Sequence, residues 1–200
     1  MVGLGNRNVT PDALGPQVID ELRVTRHIIK EYGKYAMAEE EAHMVSAIAP
    51  GVMAQTGMES SEIVKGIVSE VKPDFVVAID ALAARNTRRL NRTIQIADTG
   101  INPGSGVGNH REGITEETIG IPVIAIGVPT VVSAATIVRD TMESMMSDWE
   151  PEEKNKAFDS LIAPHLHGMF VTPKDIDDTI MRLSKLVSEA LNMVFVKKGV

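Results

Sequence analysis

The chain has 200 residues, 44% of them hydrophobic, enough for one α/β domain with a full core and too few for two comfortable domains. Its formal net charge of −7, from 20 basic and 27 acidic side chains, disfavours broad binding to nucleic acid, which needs clustered Lys and Arg against phosphate. Cysteine is absent, which excludes disulfides, thiolate catalysis and thiolate metal sites and agrees with a reducing compartment.

No apolar run approaches a membrane span; the best, Ile119 to Val132, is interrupted by Gly127 and Pro129. No basic n-region or cleavage signal opens the chain, so nothing is expected to route it out of the cell. Val2-Gly3-Leu4-Gly5 reads as the end of a strand running into a Gly loop. A helix is expected from Gly15 to Tyr32, with Val18, Ile19, Leu22 and Ile29 inward and Gly33 as its stop. Met44 to Ala49 reads as a buried strand ended by Pro50-Gly51. Thr56-Gly57-Met58-Glu59 has the pattern of a capping box, and the following helix carries Ile63, Ile67, Val68 and Val71.

Phe75 to Ile79 is the clearest strand, with Asp80 at its C-terminal end. Ala81 to Leu90 is helix-friendly, and its four arginines (Arg85, Arg88, Arg89 and, just beyond, Arg92) read as a solvated surface run that could also help recognise an acidic peptide. Thr93 to Ile96 alternates as a strand, and the glycine-rich stretch Asp98 to Gly113 reads as a loop. Ile121 to Val128 is a buried strand, after which Pro129-Thr130 is expected to open a helix reaching about Met146. Glu150 to Lys156 is a charged linker or surface helix start. In the last helix Thr172 is expected to cap, Pro173 to take the first turn, and Ile176, Ile180, Leu183, Val187 and Leu191 to face the core. Apolar runs alternating with helical patterns predict an α/β fold with a mainly parallel sheet covered on both faces.

In such open sheets ligands gather beyond the C-terminal ends of the strands. Three polar segments should meet there: Asn6 to Asp12, Asp80 to Arg85 and Asp98 to His110. Asp80, directly after five apolar residues, is partly desolvated, which raises its pKa. It reads either as a general acid or base or as a strand-end aspartate bonding neighbouring amides. Asp12, in Thr10-Pro11-Asp12-Ala13, taken alone reads as a helix cap. Two carboxylates brought together cannot both ionise easily, so one can activate water while the other protonates a leaving amine. Gly104-Ser105-Gly106-Val107-Gly108-Asn109-His110 is either a tight loop or a cradle of backbone N–H groups for an oxyanion. His110 is a surface residue or a third ligand beside the two aspartates. His165 and His167 read as part of a structural loop.

Several segments together resemble the spore germination protease family: Val2-Gly3-Leu4-Gly5-Asn6, Val9 to Pro16, Pro50-Gly51-Val52-Met53, Ala78 to Arg85, Ile101 to Asn109, Ile121 to Val132 and Val171 to Lys174. The resemblance spans nearly the whole chain. It implies a three-layer α/β/α fold similar to that of the hydrogenase maturation peptidases. It also implies a cytoplasmic (spore core) endopeptidase of an atypical aspartic kind that cuts small acid-soluble spore proteins during germination. Zymogen activation and a homotetramer are implied too, with no cofactor, no resident metal, and no membrane or direct nucleic-acid partner. Its catalytic aspartates carry over to Asp12 and Asp80. Around them Asn6, Gly104, Ser105, Gly106, Gly108 and His110 are candidate substrate or oxyanion contacts, and Asp80 is the expected base. Residues 1–200 are expected to form a single catalytic domain lacking the family's N-terminal propeptide-containing region.

Overall fold

The computed structural model describes residues 1–37, 42–108, 111–146 and 148–196. Its strands are β1 (Val2–Gly3), β2 (Val76–Ala84), β3 (Gln95–Ala97), β4 (Val123–Ser133) and β5 (Phe170–Val171). The helices are α1 (Leu14–Glu21), α2 (Arg26–Tyr32), α3 (Met53–Thr56), α4 (Ser60–Val71), α5 (Glu116–Ile119), α6 (Ala134–Met145), α7 (Pro151–Leu161) and α8 (Ile176–Phe195). The strand order is β1-β2-β4-β3. The β1–β2 and β2–β4 pairings are parallel, while β3 and β5 both run antiparallel to β4.

β2 and β4 are continuous apolar runs because both of their faces are covered, as central parallel strands require. Successive side chains point to opposite faces. Val76, Ala78, Val123 and Ala125 therefore pack with Val64 of α4 and Ile119 of α5 on one side. Val77, Ile79, Ile126 and Val128 pack with Leu14 and Val18 of α1 and with Ile176, Ile180, Val187 and Leu191 of α8 on the other. The result is the expected layered α/β arrangement. No helix among the described residues is long and apolar enough to cross a membrane.

Two glycines set how closely α1 lies on the sheet. A Cβ on Gly15 would stand 2.3 Å from the Leu4 carbonyl oxygen and 2.6 Å from that of Ile79, and one on Gly3 would stand 2.3 Å from the Gly15 oxygen. Bare backbone at both positions lets the start of α1 sit against β1 and β2. The turn just before it, Thr10–Asp12, is thereby carried over the strand ends.

Several expected elements differ, in each case because tertiary partners win over local pattern. The helix read across Gly15 to Tyr32 is two helices. Between them Arg23 N–H donates to Asn192 Oδ1 (2.8 Å) and Thr25 N–H to the Val45 carbonyl (2.9 Å), so these donors serve other segments. Met44 to Ala49 is not a full strand: β1 offers only two residues, and the pairing reduces to a bridge at Ile48. Met44 is exposed. Strand β2 does not stop at Asp80 but continues to Ala84, because β4 runs on beside it to Ser133 with a register shift at Leu82/Ala83. Pro129 and Thr130 therefore lie within β4, and α6 starts only at Ala134, capped by Ser133 Oγ accepting from Thr136 N–H at 3.0 Å.

The capping contact ahead of α4 is Glu59 N–H to Glu62 Oε2 (2.8 Å) rather than one centred on Thr56. Helix α8 begins at Ile176 with Asp175 before it, and Thr172 is used differently, its hydroxyl donating to the Thr130 carbonyl at 2.8 Å. The charged stretch from Glu150 is the start of α7, whose Phe158 joins Ala135 and Ile162 in a small separate core.

Candidate active site

A cavity of about 720 Å³ opens beyond the C-terminal ends of the parallel strands. Its wall takes Leu4, Gly5, Val9, Pro11 and Asp12 from the first loop, Asp80 to Ala83 and Arg85 from β2 and beyond, and Asn102 to Gly106 with Arg111 from the glycine-rich segment. The three polar segments expected to converge do so.

Asp80 sits mid-strand on β2 opposite Gly127 of β4 and is only 4% exposed. Its Oδ1 accepts from Ala81 N–H at 2.9 Å. Burial, followed by the charge of Asp12, pushes its pKa up to about 8, against the weaker opposing effect of the Ala81 amide. Gly127 leaves room for the neighbouring Leu82, since a Cβ there would stand 2.3 Å from Leu82 Cδ1.

Asp12 ends a 3-10 turn that follows Val9. Burial raises its pKa too, while the bond from Asn6 N–H to its Oδ2 (2.6 Å) and the nearby charge of Arg111 pull the other way. The turn is fastened from both sides. Gly5, at φ +111°, passes so close that a Cβ would stand 2.0 Å from the Asp12 carbonyl oxygen. From below, the fully buried Thr130 of β4 donates its hydroxyl to the Pro11 carbonyl at 2.6 Å.

The expected oxyanion contacts separate into groups. Asn6 spends its N–H on Asp12, its Oδ1 accepts from Asn8 N–H (3.0 Å) and Gln55 Nε2 (3.3 Å), and it is not among the residues lining the cavity. Gly104, Ser105 and Gly106 line the cavity. Ser105 N–H donates to the Asn102 carbonyl and Gly108 N–H to that of Ser105, whereas the Gly104 and Gly106 amides have no acceptor among the described residues. Gly106 packs against β2, a Cβ there meeting Ala83 Cβ at 2.9 Å. Gly108 does not line the cavity, and His110 lies outside the described residues. Among the described residues no three His, Asp or Glu side chains gather as metal ligands. His165 and His167 are exposed on the Pro164–Gly168 turn, as a structural loop predicts.

Sequence reasoning missed Thr130 and Arg111. Thr130 was hidden by Pro129 beside it, although a β-branched hydroxyl inside an apolar run signals a buried strand with a polar partner. All four arginines of the run are exposed, as a solvated surface run predicts; Arg85 and Arg89 also line the candidate site, while Arg88 and Arg92 join Arg182 around a second cavity of about 570 Å³.

A family model described as germination protease matches residues 1–156, which include both aspartates. The chain is 47% identical over 210 residues to the germination protease of Clostridium perfringens strain SM101 and 47% identical to that of Caldanaerobacter subterraneus subsp. tengcongensis. It is 42% identical over 240 residues to the germination protease of Bacillus cytotoxicus. These matches cover 96% of this chain and 64%, 64% and 65% of the respective relatives, so the chain spans a little under two thirds of their length.

Proposed function

This chain belongs to the germination protease family, and from that premise we propose that it is an endopeptidase whose Asp12 and Asp80 hydrolyse a peptide bond through a shared water. The observation that carries the reading is the pairing of a buried carboxyl, Asp80, with a second carboxyl, Asp12, on the wall of one cavity. At neutral pH Asp80 keeps its proton and Asp12, with Asn6 N–H and Arg111 near it, is the member that ionises. Asp12 is then the base and Asp80 the acid, the reverse of the sequence expectation.

The Asp12 carboxylate takes a proton from water as the water oxygen bonds to the peptide carbon. The carbonyl electron pair moves onto its oxygen, then returns as the carbon–nitrogen bond breaks and the departing nitrogen takes the Asp80 proton. The proton gained by Asp12 passes back to Asp80, whose burial favours the neutral form.

The proposed substrates are small acid-soluble spore proteins, acted on in the spore core during germination. Zymogen control and a homotetramer belong to the same proposal, and light scattering of the purified chain tests the assembly. Asp12→Ala and Asp80→Ala should each abolish cleavage of a small acid-soluble spore protein while circular dichroism stays native. Near-normal cleavage by both would end the aspartate reading. A metallopeptidase with His110 as an added ligand would instead lose activity to a chelator and regain it with metal.

A further inference from the structure

Hydrolysis by the route above places negative charge on the former carbonyl oxygen, and some donor must meet it. Most of the expected loop amides are already committed: Asn6 N–H to Asp12, Ser105 N–H to Asn102, and Gly108 N–H to Ser105. Arg111 lines the same cavity as the two aspartates. It is half-buried, and among the described residues it makes no ion pair and no hydrogen bond. The Asp12 carboxyl, whose charged form it favours, is hydrogen-bonded by Asn6 N–H instead. A guanidinium carries five donors in a rigid fork and stays charged at any working pH. Half-buried on the cavity wall, with its donors uncommitted among the described residues, it stabilises charge that develops there more than it would in open water.

We propose that Arg111 is a catalytic residue that donates to the oxyanion of the tetrahedral intermediate. This rests on the peptidase reading of the cavity. The same cation also favours ionised Asp12, so one side chain serves the base before attack and the oxyanion after it. The Gly104 and Gly106 amides of the same glycine-rich segment are left as auxiliary donors.

Two measurements test the assignment. With a small acid-soluble spore protein as substrate, Arg111→Ala should lower kcat by about 100-fold or more while KM stays within about threefold. Arg111→Lys should recover part of the loss. A raised KM at unchanged kcat would make Arg111 a substrate anchor and overturn the proposal, as would unchanged kinetics. The second measurement needs no turnover. Binding of acetyl-hexa-alanine amide is compared with that of its analogue carrying an anionic phosphinate at the central peptide bond, which mimics the intermediate. The wild-type chain should prefer the phosphinate by about 100-fold, and Arg111→Ala should remove that preference without changing affinity for the parent peptide. No preference in the wild type, or a preference that survives in the variant, overturns the proposal. Should Asp12→Asn and Asp80→Asn hydrolyse normally while the phosphinate preference still depends on Arg111, the aspartate reading fails and the Arg111 assignment stands.

Discussion

Replacing Asp80 with Asn removes the group that titrates while keeping its shape, and the carboxamide oxygen can still accept from Ala81 N–H. The native pKa of Asp80 stands near 8, against 3.8 for an ordinary aspartate. A carboxyl whose pKa is higher in the folded state binds more protons there than in the unfolded chain. Its contribution to stability is therefore complete below pH 3.8 and is lost as pH rises through about 8. At about 1.36 kcal/mol per pH decade, the full loss is of order 5 kcal/mol. This is a large share of a typical folding free energy.

Urea unfolding at constant ionic strength at pH 5 and pH 9 measures it. At pH 5 the Asn variant should lead by only about 1–2 kcal/mol, because the folded Asp80 is neutral there while the unfolded one has ionised over little more than one pH decade. At pH 9 its lead should grow to about 4 kcal/mol or more. Every other titrating group is common to both proteins, so the difference isolates Asp80 and its neighbour Asp12. A difference that does not change with pH would refute the burial argument. A variant less stable than wild type at pH 9 would mean that an ionised Asp80 is held by a cation.

The same proton should appear in catalysis: peptide hydrolysis should decline above about pH 8 as Asp80 loses the proton it donates, and a kcat/KM profile flat to pH 10 would contradict that role. Thr130→Val keeps the packing but removes the hydroxyl that holds the Pro11 carbonyl; activity should fall about tenfold or more through misplacement of Asp12, with Thr130→Ser close to wild type. Equal activity of the Val and Ser variants would show that the bond does not position the turn. Gly15→Ala would force its methyl into the Leu4 and Ile79 carbonyls, and urea unfolding should show a loss of about 3 kcal/mol or more. A near-neutral result would mean that α1 can lift off the sheet without cost.

The layered α/β fold was legible because the apolar runs around Ile79 and Ile126 and the stripe from Ile176 to Leu191 report burial directly, whatever covers them. The meeting of the Asp12, Asp80 and glycine-loop segments was legible too, since sites in parallel sheets form at one end. The sequence by itself therefore determined the layers, the segments that meet at the cavity wall and the family. Strand lengths were not legible. Ala81 to Ala84 favour a helix locally, and only the neighbouring backbone of β4 draws them into a strand. Pro129 obscured that continuation, although it sits where the register shifts and its carbonyl still accepts from Asn91 N–H at 2.7 Å.

Tertiary structure also sets the two aspartates apart. Asp12 and Asp80 are the same residue type in polar segments, and their difference comes from surroundings that no local window contains. Asp80 is walled in by β4 and faces the charge of Asp12, while Asp12 has an amide from Asn6 and a cation from Arg111. Burial and charge act through space: Arg111 lies 99 residues along the chain from Asp12, and Thr130 lies 119 from Pro11, and the fold alone brings those partners together.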